Sequence, residues 1–195
     1  MANRSFRDEI MAYIPANEQE AGDLRAIRWY MDQYGDGVLL RDNVIAHMTS
    51  SGFIMNETLD QALMIHHNIL GKWAWTGGHA DGDFDPLAVA LREAREETGA
   101  RSIRPLAERV ASVDVLTVEG HVKRGRYVNA HLHLNVAYVL LCDQEDAFRA
   151  KPDENSGVRW FDVEEIARPA GGSYDAYLYG KLIGWARGQR KGADA

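Results

Sequence analysis

Glu93, Glu96 and Glu97 stand at i, i+3 and i+4, a spacing that sets three carboxylates on one face of a helix. Like charges so placed repel by roughly a few tenths of a kcal/mol per pair. Such a face is either solvated and balanced by Arg92 and Arg95, or it holds something positive. Leu87, Ala90, Leu91 and Ala94 give the same helix an apolar stripe with which to dock. Just before it runs Gly77-Gly78-His79-Ala80-Asp81-Gly82-Asp83, read as a tight, acidic turn. Glycines let backbone carbonyls approach a ligand closely, and hard divalent cations take their oxygen ligands from carboxylates, carbonyls and water. The Gly77 or Gly78 carbonyl with Glu93, Glu96 and Glu97 would supply much of such a shell.

Other side chains invite weaker readings. His79 lies inside the turn and could touch phosphate, although an ordinary loop histidine fits as well. His131 and His133 alternate along one segment and face the same side. A two-histidine metal site is conceivable there, but Mg2+ prefers oxygen, so substrate contact or plain placement on a sheet is favoured. Lys123, Arg124 and Arg126 could clamp a phosphate or a leaving group, or simply face solvent. Trp73, Trp75 and Tyr127 could stack on a base, with core packing the better account of the two tryptophans.

The elements that must position these residues follow from periodicity and punctuation. Two helices are expected first. One covers about Ser5 to Tyr13 and ends before Pro15; the other covers Glu18 to Tyr34, with Ala21, Leu24, Ile27, Trp29, Tyr30 and Met31 as its apolar side. Gly35-Asp36-Gly37 marks a turn. Val44 to Met55 and Gln61 to His66 read as an antiparallel hairpin, and Lys72 to Trp75 as a short strand. Pro86 to Thr98 is a helix, with Asp85 as its cap and Gly99 just past its end. Arg109 to Glu119 and His131 to Cys142 read as strands around a polar, basic loop, Gly120 to Ala130. Val158 to Phe161 is a last strand, Val163 to Ala167 a short acidic helix, and Tyr174 to Gln189 a closing helix. The order predicts an α/β fold, an α/β/α sandwich on a mixed sheet, with an N-terminal helical appendage over residues 1–42. That appendage could cap the sheet, wall the active site or make a homodimer contact. Residues 173–195 would pack on the same domain.

Composition bounds the partners. The chain has 195 residues, 46% hydrophobic and 26% charged, with a formal charge of -7, which suits one globular domain. That charge argues against a nucleic-acid-binding face and against a polybasic membrane anchor. It does not exclude an anionic small molecule, because a cation held by carboxylates inverts the local electrostatics. A single cysteine, Cys142, permits neither an intrachain disulfide nor a cysteine-based zinc site. No stretch has the length of a signal peptide core or a membrane span, and the expected location is the cytoplasm.

From Gly78 to Ala100 the sequence resembles the signature of the Nudix hydrolases, G-x5-E-x7-R-E-U-x-E-E-x-G-U with U a bulky apolar residue. Gly78 is followed at the same spacings by Phe84 and then by Arg92-Glu93-Ala94-Arg95-Glu96-Glu97-Thr98-Gly99-Ala100. Ala94 and Ala100 are small for the U positions, and Phe84 replaces the early Glu, with an Asp on either side. The resemblance extends over about residues 43 to 168, within a domain placed at 43–172. It implies a Nudix-type sandwich and a MutT-like pyrophosphatase that uses Mg2+ or Mn2+ to cleave a phosphoanhydride bond. The substrate implied is a nucleoside diphosphate linked to another group, or a related organic diphosphate. It makes Gly77, Gly78, Glu93, Glu96 and Glu97 metal ligands and Glu93 the candidate general base. Glu154, on the loop before the last strand, is an alternative base. Arg92, which the early Glu would hold, passes to Asp83 or Asp85 or else pairs only with its helical neighbours. The favoured account gives it to one of the two Asp residues and packs the Phe84 ring on the helix, against an eroded box. His79, Lys123, Arg124, Arg126 and His131 are assigned to substrate. A non-catalytic nucleotide-sensing Nudix-like module is the alternative, favoured only by Phe84. The related isomerases need a cysteine near the box, which this chain lacks.

Overall fold

The computed structural model describes residues 5–123, 125–168 and 173–193. Its centre is β1 (Ala46–Met55), buried along its whole length. One edge of β1 pairs in parallel with β9 (His131–Leu141) from Ala46↔Leu132 to Met55↔Leu141. The other edge is shared by β2 (Gln61–His67) and β4 (Thr76–His79), both antiparallel to it. Around this core lie β3 (Lys72–Ala74) and β10 (Asn155–Asp162) on β2, and β5 (Arg104–Pro105) and β6 (Ser112–Val118) on β9. The result is a mixed, eight-stranded sheet.

Alternation along the central strands sends successive side chains to opposite layers. Met48 and Ile54 of β1, with Leu134, Val136, Tyr138 and Leu140 of β9, join one core. That core also takes Phe6 and Ile10 of α1 (Phe6–Ala12), Leu24, Ile27 and Met31 of α2 (Glu18–Tyr34), and Val89, Ala90 and Ala94 of α3 (Pro86–Thr98). Phe53 and Met55, with Ala137, Val139 and Leu141, face the other way. They meet Tyr179, Leu182, Ile183 and Ala186 of α5 (Tyr174–Ala193), beside the short α4 (Val163–Ala167). Helices therefore cover both faces of a mixed sheet, the α/β sandwich that the order of elements predicts.

Residues 5–42 are tied into this body through α1 and α2, which share the larger core. The tie is also electrostatic. Lys181 of α5 lies 3.0 Å from Glu20 of α2 and 2.6 Å from Asp114 of β6, and all three side chains are almost fully buried. Removing one member of such a group leaves an uncompensated buried charge, at a cost of about 3–5 kcal/mol.

Local chemistry sets the helix ends. Asn17 Oδ1 accepts from the Glu20 amide at 2.9 Å, and the Glu20 carboxylate accepts from Ala16 N at 2.7 Å, satisfying two amides at the start of α2. Asp85 Oδ1 caps α3 by accepting from Leu87 N and Ala88 N, and Gly99 ends it at φ +72°.

Four expectations are corrected. Gly77 and Gly78 lie in β4 rather than in a turn, paired with Ser51 and Ser50 of β1, and their neighbours leave no room for a side chain. A Cβ at Gly77 would meet Ser51, and one at Gly78 would meet Glu93. Residues 120–130 are not plain loop: β7 (His121–Lys123) and β8 (Arg126–Val128) pair in a separate two-stranded sheet. Trp29 is 61% exposed, since it falls off the Leu24–Ile27–Met31 stripe. Phe84 is 53% exposed, not packed on the helix; its carbonyl, not its ring, is held, accepting from Phe6 N at 2.9 Å.

Candidate active site

The helix α3 presents its three carboxylates in three different environments. Glu97 is 4% exposed and accepts from the Gly77 amide at 3.0 Å. Burial pushes its carboxyl up to about 8, against the pull of that amide and with the Glu93 and Glu154 charges adding to the rise. Glu93 is half-buried and is also raised, by burial first, with Arg92 opposing. Its side chain fills the space that Gly78 vacates: a Cβ there would fall 2.6 Å from Glu93 Cγ and 2.7 Å from Oε1. Glu96 is exposed and bonded by Lys151 Nζ at 2.9 Å. Lys151 also pairs with Glu154 at 3.0 Å, which brings the loop before β10 up to the carboxylate face. Behind them, Asn155 donates to the Glu97 carbonyl at 2.9 Å and pins that loop to the helix.

Arg92 has found its partner in Asp83, at 3.0 Å, and also reaches Glu93 Oε1 at 3.3 Å. Asp85, the other acid beside Phe84, is occupied as the helix cap. The turn after β4 is held by a two-point pair between Arg41 and Asp81.

This donor set fits a hard divalent cation. Three carboxylates and nearby backbone carbonyls are oxygen ligands, and burial makes the charged form of two of the acids costly. A bound dication would remove that cost.

On the face of the sheet that carries Phe53 and Ala137, the polar ends of the central strands form a floor. Ser51 and Thr49 both donate to Asn135 Oδ1, at 2.9 and 3.0 Å. Next along the same face come His47 on β1 and His133 and His131 on β9, with His79 at the end of β4. Burial holds His79 down to about 3 and His133 to about 2, with neighbouring positive charge adding to each shift. Lys123 is among the charges acting on His79 and also on His67, so the β7–β8 hairpin brings positive charge near both rings. Arg126, opposite Lys123 in that hairpin, is exposed. Arg124 lies outside the described residues. Trp73 and Trp75 pack on Phe161 and Tyr179 respectively, in keeping with core placement. Tyr127 is 72% exposed.

The sequence reading missed His47, Asn135 and Lys151. Lys151 sits in a loop with no periodicity to mark it. His47 gives a signal only when its register with His133 is known.

The NUDIX domain family model matches residues 46–182. The chain belongs to the Nudix family. The residues that carry the match include the whole Nudix box, and the hydrolase class expected from the box stands on the same footing. Nudix hydrolases generally use divalent metal ions, which agrees with the oxygen-rich face of α3. Among solved structures, the chain resembles an Ap4A hydrolase from C. elegans, with 15% identity over 72% of this chain and 98% of that one (TM-score 0.50). A MutT protein from Methanosarcina mazei Go1 is similar, with 15% identity over 76% and 98% (TM-score 0.51). So is an ADP-ribose pyrophosphatase from Streptococcus suis, with 19% identity over 72% and 91% (TM-score 0.50). At these identities the likeness is one of fold. A search of curated proteins finds no match to the sequence. Among the described residues, no helix is long and apolar enough to cross a membrane.

Proposed function

We propose that this Nudix protein is a pyrophosphohydrolase that cleaves a phosphoanhydride bond in a nucleoside diphosphate linked to another group, or in a related organic diphosphate. The observation that carries the reading is the pair Glu93 and Glu97: two acids on one face of α3 beside Gly77 and Gly78, both with their proton affinity raised by burial. Mg2+ or Mn2+ held by Glu93, Glu96, Glu97 and a Gly77 or Gly78 carbonyl would supply charge neutralisation for the diphosphate and a more acidic water.

The protein's own groups do the rest. Asp83 anchors Arg92, and Arg92 in turn steadies Glu93. Glu93 takes the proton of the attacking water, a role suited to a carboxylate whose proton affinity is raised. Glu154 stands on the other side of Lys151 as the alternative base. Lys123, Arg124 and Arg126 hold the substrate's phosphates or its leaving group, and His79 and His131 line the floor beneath it. The substrate is a small molecule rather than a nucleic acid, in keeping with the formal charge of -7. The non-catalytic alternative loses its main support here, because Asp83 gives Arg92 the contact that Phe84 cannot.

The test is a panel of nucleotide sugars, dinucleotides, nucleoside triphosphates and isoprenoid diphosphates, assayed with Mg2+ and Mn2+ and with products identified. On any substrate turned over, Glu97→Gln should lower turnover at least ~100-fold while the protein stays folded. Wild-type rates in both Glu96→Gln and Glu97→Gln would remove the assigned site.

A further inference from the structure

His47, His79, His131 and His133 come from three strands, yet each offers one ring nitrogen within 4.8 Å of those of the other three. The sheet imposes this. His47 and His133 are register partners on the parallel β1 and β9. His131 precedes His133 by two residues and so shares its face. His79 enters from β4, opposite Thr49 on the far edge of β1. The His47 ring centroid lies 4.9 Å from those of His79 and His131 and 5.3 Å from that of His133.

Their hydrogen bonds fix what the rings present. His47 Nδ1 lies 3.0 Å from the Asn43 carbonyl, and His131 Nδ1 lies 2.8 Å from the Asn129 carbonyl. A carbonyl can only accept, so both Nδ1 atoms carry the proton and both Nε2 atoms turn a lone pair inward. His47 Nε2 is buried and has no hydrogen-bond partner. An orphaned buried lone pair costs about 1–3 kcal/mol, and none of the other three rings relieves it. His131 Nε2 and His133 Nε2 stand 3.3 Å apart, where His133 can donate to the His131 lone pair when its Nε2 carries the proton. That separation matches the roughly 3.3 Å edge of a tetrahedron built on metal–nitrogen bonds of about 2.0–2.1 Å.

We propose that these four histidines form a second metal site, distinct from the carboxylate face of α3, that binds one borderline divalent cation of the Zn2+ type. Nitrogen ligands select such ions over Mg2+ and Mn2+. The backbone carbonyls behind His47 and His131 are the outer partners that ligating histidines ordinarily have. An anion is a poorer occupant, since it would need several of four adjoining rings to be protonated together. The inference does not rest on the hydrolase reading.

The experiment uses full-length protein freed of metal with a chelator and titrated calorimetrically with ZnCl2 alone, without substrate. One tight equivalent is expected. His131→Asn and the double variant His131→Asn/His133→Asn should weaken it at least ~100-fold, whereas Glu96→Gln/Glu97→Gln should retain it. Co2+ in place of Zn2+ should give a visible absorption band that the histidine variants lose, and thermal melts of metal-free protein report whether those variants fold. Absence of a tight Zn2+ equivalent would overturn the proposal. So would an equivalent that survives in the folded histidine variants or vanishes in the glutamate variant. A parallel titration with inorganic phosphate covers the remaining reading: histidine-dependent phosphate binding without zinc binding would make the cluster an anion site and sink the metal site.

Discussion

The carboxylate face of α3 and the histidine floor of β1, β4 and β9 meet along β4, where Gly77 and Gly78 touch the acids and His79 is the next residue. They gather charge in opposite ways. The acids lie one helical turn apart and repel, and the fold tolerates them by burying Glu97, half-burying Glu93 beside Arg92 and giving Glu96 to Lys151. The histidines are neutral rings drawn together by strand register, and their cost is an unmatched lone pair rather than repulsion. The first region asks for a hard cation and oxygen, the second for a softer cation and nitrogen. Adjacent sites of different hardness can be loaded independently, and that independence is what can be tested.

The largest effect should come from Gly78→Ala. The new Cβ cannot coexist with the Glu93 side chain where it now lies, and misplacing a catalytic group by about 1 Å costs on the order of 100-fold in rate. Turnover should fall by that much with Zn2+ uptake unchanged. A loss of both would make the two regions one site. Lys123→Ala strikes the histidine side instead. Loss of a charge-assisted phosphate contact should raise KM about tenfold with kcat little altered; an unchanged KM would assign the hairpin to solvent.

Phe84→Glu tests how the carboxylate face is anchored. The ring is exposed and Asp83 already holds Arg92, so the melting free energy should change by no more than about 0.5 kcal/mol, with turnover within about twofold. Severalfold activation would mean that Asp83 is an incomplete substitute for the family's Glu. The smallest effect lies outside both regions. Asp146 accepts from Arg101 N and Ser102 N at 2.7 Å each, and these bonds hold its carboxyl down to about 2, below the usual 3.8. A depressed acid contributes stability above its unfolded value and loses it as pH falls through the folded one. The stability gap between wild type and Asp146→Asn should therefore be constant above pH 4 and close between about 4 and 2, while zinc uptake at neutral pH stays equal in both.

Much of this was legible because it is local. The cap at Asp85, Pro86 in the first turn, the spacing of Glu93, Glu96 and Glu97 and the stop at Gly99 all act within a few residues, so type and interval alone determine α3 and its acidic face. The alternation of β9 likewise announced that His131 and His133 share a side. Other features depended on which strand lies beside which. His47 reaches His133 only through the parallel register of β1 and β9. Gly77 and Gly78 are strand residues because they pair with Ser51 and Ser50 of β1. Lys151 becomes a partner of Glu96 and Glu154 only when the loop before β10 folds against the helix. Phe84 looked like a ring to be buried, and it stands exposed beside the helix cap at Asp85 instead. The sequence by itself determined the acidic helix α3 and the family, since helical neighbours are fixed by chain connectivity. The tertiary structure alone decided the histidine floor, since its members are brought together by backbone pairing that no short interval in the chain encodes.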